Sequence, residues 1–130
     1  MTTSKLSPDI GAQDVKRDME LVRELLLEIE ANPQLNGRQF IDLPVGNHNP
    51  EEMAYTLSLL IGEGIVTGHI GMTMPLVSGL SWKGHELLDN IRDDNVWEGT
   101  KKAIKPLASV SVAVLAEIAK GEIKRLLGLP

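Results

Sequence analysis

The chain predicts a mostly α fold with a small β-hairpin, built as a winged-helix-like unit followed by C-terminal helices. Three observations carry that expectation. Apolar residues recur at three- and four-residue spacing through most of the 130 residues, which is the mark of helical faces. Two short β-prone runs, residues 65–70 and 76–80, flank Gly71-Met72-Thr73-Met74-Pro75 and read as a hairpin, with Pro75 suited to an edge or a turn. Proline and glycine stand between these segments, where they punctuate elements.

Taken in order, residues 1–13 are polar, lack periodicity and read as a flexible tail. From Asp14 onward, Val15, Met19, Val22, Leu26 and Ile29 form one apolar stripe, widened by Leu21 and Leu25, and Asn32-Pro33 stops the helix. Residues 34–48 are loop-like, with a short strand candidate at 39–43. Asn49-Pro50-Glu51-Glu52 supplies an N-cap, a proline at the first helical position and two acids against the helix dipole. The helix it opens carries Met53, Leu57, Leu60 and Ile61, and Gly62 or Gly64 closes it.

Ser81 sits where an N-cap belongs after the hairpin, and Gly84, Leu87, Leu88 and Ile91 follow on one helical face. Gly84 sacrifices helix propensity in a first turn, which implies close backbone packing against a neighbour. Asp93, Asp94 and Asn95 end this helix and can cap the next, with Asn95 and Glu98 at capping-box spacing. That next helix, residues 95–105, is ended by Pro106, and a last one runs from Ser109 or Ser111 to Leu127 with Gly128 as its stop. The expected division is a tail at 1–13, a winged-helix-like unit at 14–92, and helices at 93–130 packed on it within a single domain.

A chain of this length buries about two-thirds of its unfolded surface. Hydrophobic residues are 42% of the total but aromatics only 3%, so the core must be Leu, Ile, Val and Met. The absence of Cys excludes disulfides and thiolate metal sites. No run approaches the ~18 apolar residues of a spanning helix, and residues 1–11 have no signal-peptide core, so a cytoplasmic protein without a membrane partner is expected. Net charge is −5, unevenly spread. Lys and Arg number five up to Arg38, none across residues 39–82, and eight from Lys83 onward, while the cation-free stretch holds Asp42, Glu51, Glu52 and Glu63. Such a segment is poorly suited to gripping phosphate.

Two segments resemble a known family. Lys16-Arg17-Asp18-Met19-Glu20-Leu21-Val22-Arg23, with Leu26-Leu27-Glu28-Ile29-Glu30 after it, is similar to the opening of the domain of unknown function family 2513. Leu80-Ser81-Trp82-Lys83-Gly84-His85-Glu86-Leu87-Leu88-Asp89, with Ile91-Arg92-Asp93-Asp94 and Trp97, resembles its second motif. The likeness covers roughly residues 16–127 and implies a bacterial or prophage origin and a fold, with no established activity to carry over. Residues 1–15 precede the family's usual start. The family's pattern after Asn49 usually carries a His near Thr56, and this chain has none there.

His85, Glu86 and Asp89 form the most site-like cluster, because His85 and Asp89 lie one turn apart on a helix. Zinc would need at least a third protein ligand. His69 is a candidate, but nothing in the sequence forces it close, and the plainer reading makes His85 a local hydrogen-bonder and Asp89 a solvated acid. Asp93 and Asp94 with Glu86 could serve as acid and base, yet acids at a helix junction are ordinarily caps. Nucleophile-elbow and phosphate-loop patterns are absent, since Gly62-Glu63-Gly64 lacks the later Gly and Lys. The expectation is therefore a protein that is not an enzyme, with no catalytic residues, metal or cofactor. Trp82 and Trp97 bracket the motif helix as a partner platform or as two core anchors; an aromatic-poor core predicts that both are buried. Lys101, Lys102 and Lys105, the one basic cluster, read as a solvated face.

Two functions remain. The preferred one is a non-enzymatic protein-interaction module on a winged-helix scaffold, with Trp82, His85, Glu86, Asp89, Met72 and Met74 as candidate partner-binding residues. The alternative is a winged-helix DNA-binding regulator. Nucleic acid is disfavoured because the helix in the recognition position offers Glu51, Glu52 and Glu63 and no Lys or Arg. In the last helix, Val110, Val114 and Ile118, with Leu107 before them, follow one stripe, which Leu115, Ile123, Leu126 and Leu127 widen. That stripe suits either a homodimer or a helix sunk into its own monomer.

Overall fold

The computed structural model describes residues 18–130. The tail at 1–13 and the start of the first helix at Asp14 lie outside the described residues. The elements are α1 (Met19–Ala31), β1 (Ile41–Asp42), α2 (Pro50–Gly62), β2 (Val66–His69), β3 (Leu76–Leu80), α3 (Trp82–Ile91), α4 (Asp94–Ile104) and α5 (Val112–Leu127). The fold is mostly helical with one small antiparallel sheet, as the periodicities predict. None of the described helices is long and apolar enough to cross a membrane.

Caps explain where the helices begin. Asp18 accepts from the backbone N–H groups of Glu20 and Leu21, and Asn49 does the same for Glu51 and Glu52 ahead of Pro50. Ser81 accepts from Gly84 N–H, and Ser111 from Val114 N–H. Each side chain satisfies donors that have no partner inside their own helix. One cap differs from expectation. Asp93, not Asn95, opens α4 by accepting from Asn95 and Val96. The Asn95–Glu98 capping box therefore does not form, because both residues are already inside the helix. Gly128, at φ 71°, closes α5 in the left-handed region where a Cβ is costly.

The sheet order is β1–β3–β2. Ile41 pairs with Val77, and Val66 pairs with Leu80, with a register shift between Thr67 and Gly68. A Cβ on Gly68 would strike the Leu76 carbonyl oxygen, so glycine is what lets the irregular strand approach β3. Thr67 and Ser78 bond through their hydroxyls across the same pair at 2.8 Å. Val66 and Val77 point inward to a core formed by Leu25, Leu26 and Ile29 of α1, Met53 and Leu57 of α2, and Leu88 and Ile91 of α3. The same core continues into α4 and α5 through Trp97, Leu115 and Ala119, so one contiguous interior serves the whole described chain.

Gly84 has the role its sequence position implies. A Cβ there would collide with the Ile65 carbonyl oxygen, while Ser81 N–H donates to that same oxygen at 3.0 Å. The head of α3 is thus pressed against the start of β2.

Trp82 contradicts the expectation that both tryptophans are buried. Trp97 is 2% exposed, but Trp82 is 80% exposed. The helix period supplies the reason. At about 100° per residue, Trp82 lies opposite the buried face of Gly84, Leu87, Leu88 and Ile91.

Candidate partner-binding surface

The two segments that carry the family resemblance meet in space, on α1 and on α3–α4. From α1, the Arg23 guanidinium donates to the carbonyls of Ile91 at 2.8 Å and Arg92 at 2.6 Å, and to the Asp94 carboxylate at 2.8 Å. It therefore closes the C-terminal end of α3, where carbonyls lack helical partners, and reaches the start of α4. Its charge also lies 5.6 Å from the centre of the Trp97 ring. Trp97 Nε1–H donates to Glu20 Oε2 at 2.6 Å, and Lys101 joins that carboxylate at 3.4 Å. Further along α1, Glu30 receives both guanidinium nitrogens of Arg92 at 2.7 Å. These bonds hold the Glu30 carboxyl below its usual 4.5, first through the hydrogen bond itself. Glu20, Arg23, Glu30, Arg92, Asp94 and Trp97 together join α1 to the α3–α4 corner.

The candidate partner residues divide into two groups. Trp82, His85, Glu86 and Asp89 share one exposed face of α3, since their helical positions fall within about a third of a turn. Asp89 also accepts from Arg92 at 3.2 Å, which ties this face to the Glu30 pair. Met72 and Met74 lie instead in the β2–β3 turn, at the end of β3 opposite Trp82; Met72 is fully exposed and Met74 half-buried. His69 stacks on Phe40, with ring centroids 4.3 Å apart. Among the described residues no group of three or more His, Cys, Asp or Glu is placed to hold a metal ion. Of the basic cluster, Lys101 pairs with Glu20 and Glu98, whereas Lys102 and Lys105 are exposed.

A second surface was missed by sequence reasoning. A groove of about 840 Å³ opens where the starts of α1 and α2 face the end of α4 and the linker after it, residues 104–110. Asp18, Glu51 and Glu52 supply acids, and Tyr55 and Leu107 supply half-exposed apolar surface. Thr56, only 6% exposed, also lines it. No sequence period links α2 to a linker about fifty residues downstream, and only packing brings them opposite one another.

Fold and surface together define a small mostly α domain with a three-stranded sheet and an interlocked corner between α1 and α3–α4. The chain belongs to the family described as hypothetical protein (DUF2513), whose model matches residues 16–111. It is also 30% identical over 118 residues to an uncharacterized protein of Haemophilus influenzae, an alignment covering 87% of this chain and 99% of that one. No solved structure matches it.

Proposed function

We propose that this protein is a non-enzymatic protein-interaction module on a winged-helix-like scaffold. The observation that carries this reading is Trp82, which stands 80% exposed at the head of α3 beside His85, Glu86 and Asp89. A covered tryptophan buries about 150–250 Å², and tryptophan is the side chain most enriched among residues that dominate protein interfaces. Leaving it in water forgoes that gain unless a partner covers it. The element order and the β1–β3–β2 sheet support the scaffold. In this reading the described part of the unit runs from Asp18 to Arg92, and the helices after it share its core.

A DNA-binding role is disfavoured by α2, the helix in the recognition position. Its exposed side carries Glu51, Glu52 and Tyr55, Glu63 follows its end, and its first turns face residues 104–110 across the groove. A helix that enters a major groove needs donors and a clear approach. Titration against random duplex DNA at low salt, followed by a salt series, tests this. The expected affinity is no better than non-specific, about 10⁻⁴ to 10⁻⁶ M at physiological salt. A nanomolar sequence-specific complex lost on mutating α2 would restore the regulator. For the protein partner, Trp82→Ala should abolish a complex that the wild-type chain forms in extracts of its own cell, without loss of fold.

A further inference from the structure

We infer that the groove between α2 and the α4–α5 linker is a second docking surface, and that its occupant is a basic peptide segment of a partner protein, carrying Lys or Arg beside a Leu-like side chain. The groove lies at two helix N-termini, which ordinarily favour anions. Here that preference is reversed. Asp18 and Asn49 already occupy the first free N–H groups of α1 and α2, and the rim carries the carboxylates of Asp18, Glu51 and Glu52, with Lys105 the one cation that lines it among the described residues. An anion would meet filled donors and like charge, whereas an ammonium or guanidinium meets acceptors.

Thr56 gives a second, independent indication. It is 6% exposed, it lines the groove, and its hydroxyl has no hydrogen-bond partner among the described residues. Thr100 makes the contrast, for its hydroxyl donates to the Val96 carbonyl one turn back at 2.7 Å. A buried hydroxyl without a partner costs stability, and one on a residue that lines a groove suits an entering donor. The apolar requirement comes from Tyr55 at 41% and Leu107 at 47% exposure, one on each wall. At about 840 Å³ the groove is near the upper end of small-molecule pockets, large enough for several side chains of a chain segment.

The test uses the full chain and a fluorescein-labelled peptide of three Lys-Leu-Ala repeats, with a Glu-Leu-Ala counterpart as control. Fluorescence anisotropy should give saturable binding of the basic peptide, weakened by salt as screening shortens the reach of charge, and none of the acidic one. The double variant Glu51→Gln, Glu52→Gln should weaken binding about tenfold, and Glu117→Gln on α5 should leave it unchanged. Thr56→Val should also weaken binding while the melting temperature stays level or rises, because the variant removes an unsatisfied polar group and keeps the shape. A Thr56→Val protein that melts markedly lower would make the hydroxyl structural and overturn the inference. Equal losses from Glu117→Gln would reduce the effect to general charge attraction and overturn it too. Binding seen only after Lys16→Glu and Arg17→Glu would give the groove to the chain's own leading residues instead of a partner. These outcomes are independent of the DNA titration and of Trp82→Ala, so failure here leaves the interaction-module reading standing on its own tests.

Discussion

Trp97 and Trp82 share a side chain and differ in everything that surrounds it. Trp97 is buried in the shared core, with its indole N–H on Glu20 and the Arg23 guanidinium near its ring. Trp97→Ala should cost about 3–5 kcal/mol in equilibrium denaturation, as large aromatics lost from cores do. Trp82→Ala should fall within about 0.5 kcal/mol, as exposed substitutions do. Acrylamide quenching separates the two, since emission from Trp82 should be red-shifted and freely quenched. Glycine offers a parallel contrast of sign. Gly84→Ala forces a Cβ into the Ile65 carbonyl and should destabilise by about 1–3 kcal/mol. Gly121→Ala meets open space within α5 and should stabilise by about 0.5–1 kcal/mol. Thermal melts of the two variants that moved in the same direction would contradict this packing of α3 on β2.

Between elements, the α1 contact with the α3–α4 corner is held by charge and should respond to pH. Glu30 is depressed in the folded protein by its bidentate bond to Arg92, so its contribution is present above the ordinary 4.5 and is lost as pH falls through the lower folded value. Glu30→Gln should therefore flatten the acid limb of the stability curve below about pH 4.5 and change little at pH 7 beyond the lost pair. Arg92 is 43% exposed, so solvent screens the pair, and added salt should shrink the difference between wild type and variant. An unchanged acid limb in urea titrations would show that the pair contributes nothing to folding. Arg23 is more enclosed and binds two carbonyls and a carboxylate in one fork, an arrangement that Arg23→Lys cannot reproduce.

For the molecule as a whole, the last helix decides whether association is required. Leu115 and Ala119 are buried within the monomer, with Val112, Ala116 and Ile123 packed against the same core. What remains outside is scattered. Val114, Leu126 and Leu127 are exposed, but their helical positions fall on different sides of α5, interrupted by the Glu117–Lys120 and Glu122–Arg125 pairs. A stable interface buries about 800 Å² per partner in a continuous patch, and the exposed apolar residues of α5 do not lie on one face. Sedimentation equilibrium at micromolar concentration should therefore give 14.2 kDa, and a doubled mass would assign α5 to a two-fold interface.

Local chemistry made most of the elements legible before any contact was known. Asn49-Pro50, Ser81 and Gly128 mark helix ends because caps and left-handed turns act within a few residues, and the apolar periods of α1 and α3 name the faces that are buried. The outward position of Trp82 was also written in that period, although its size argued for the core. The Asp93 cap was ambiguous because three adjacent polar residues could each accept the same bonds. Two features were decided by tertiary structure alone. These are the union of Glu20 and Arg23 with Trp97 and Asp94, and the groove that sets Thr56 opposite the 104–110 segment. Each depends on residues far apart in the chain, whose meeting is fixed by how helix faces pack on one shared core, and no local period or cap encodes that meeting.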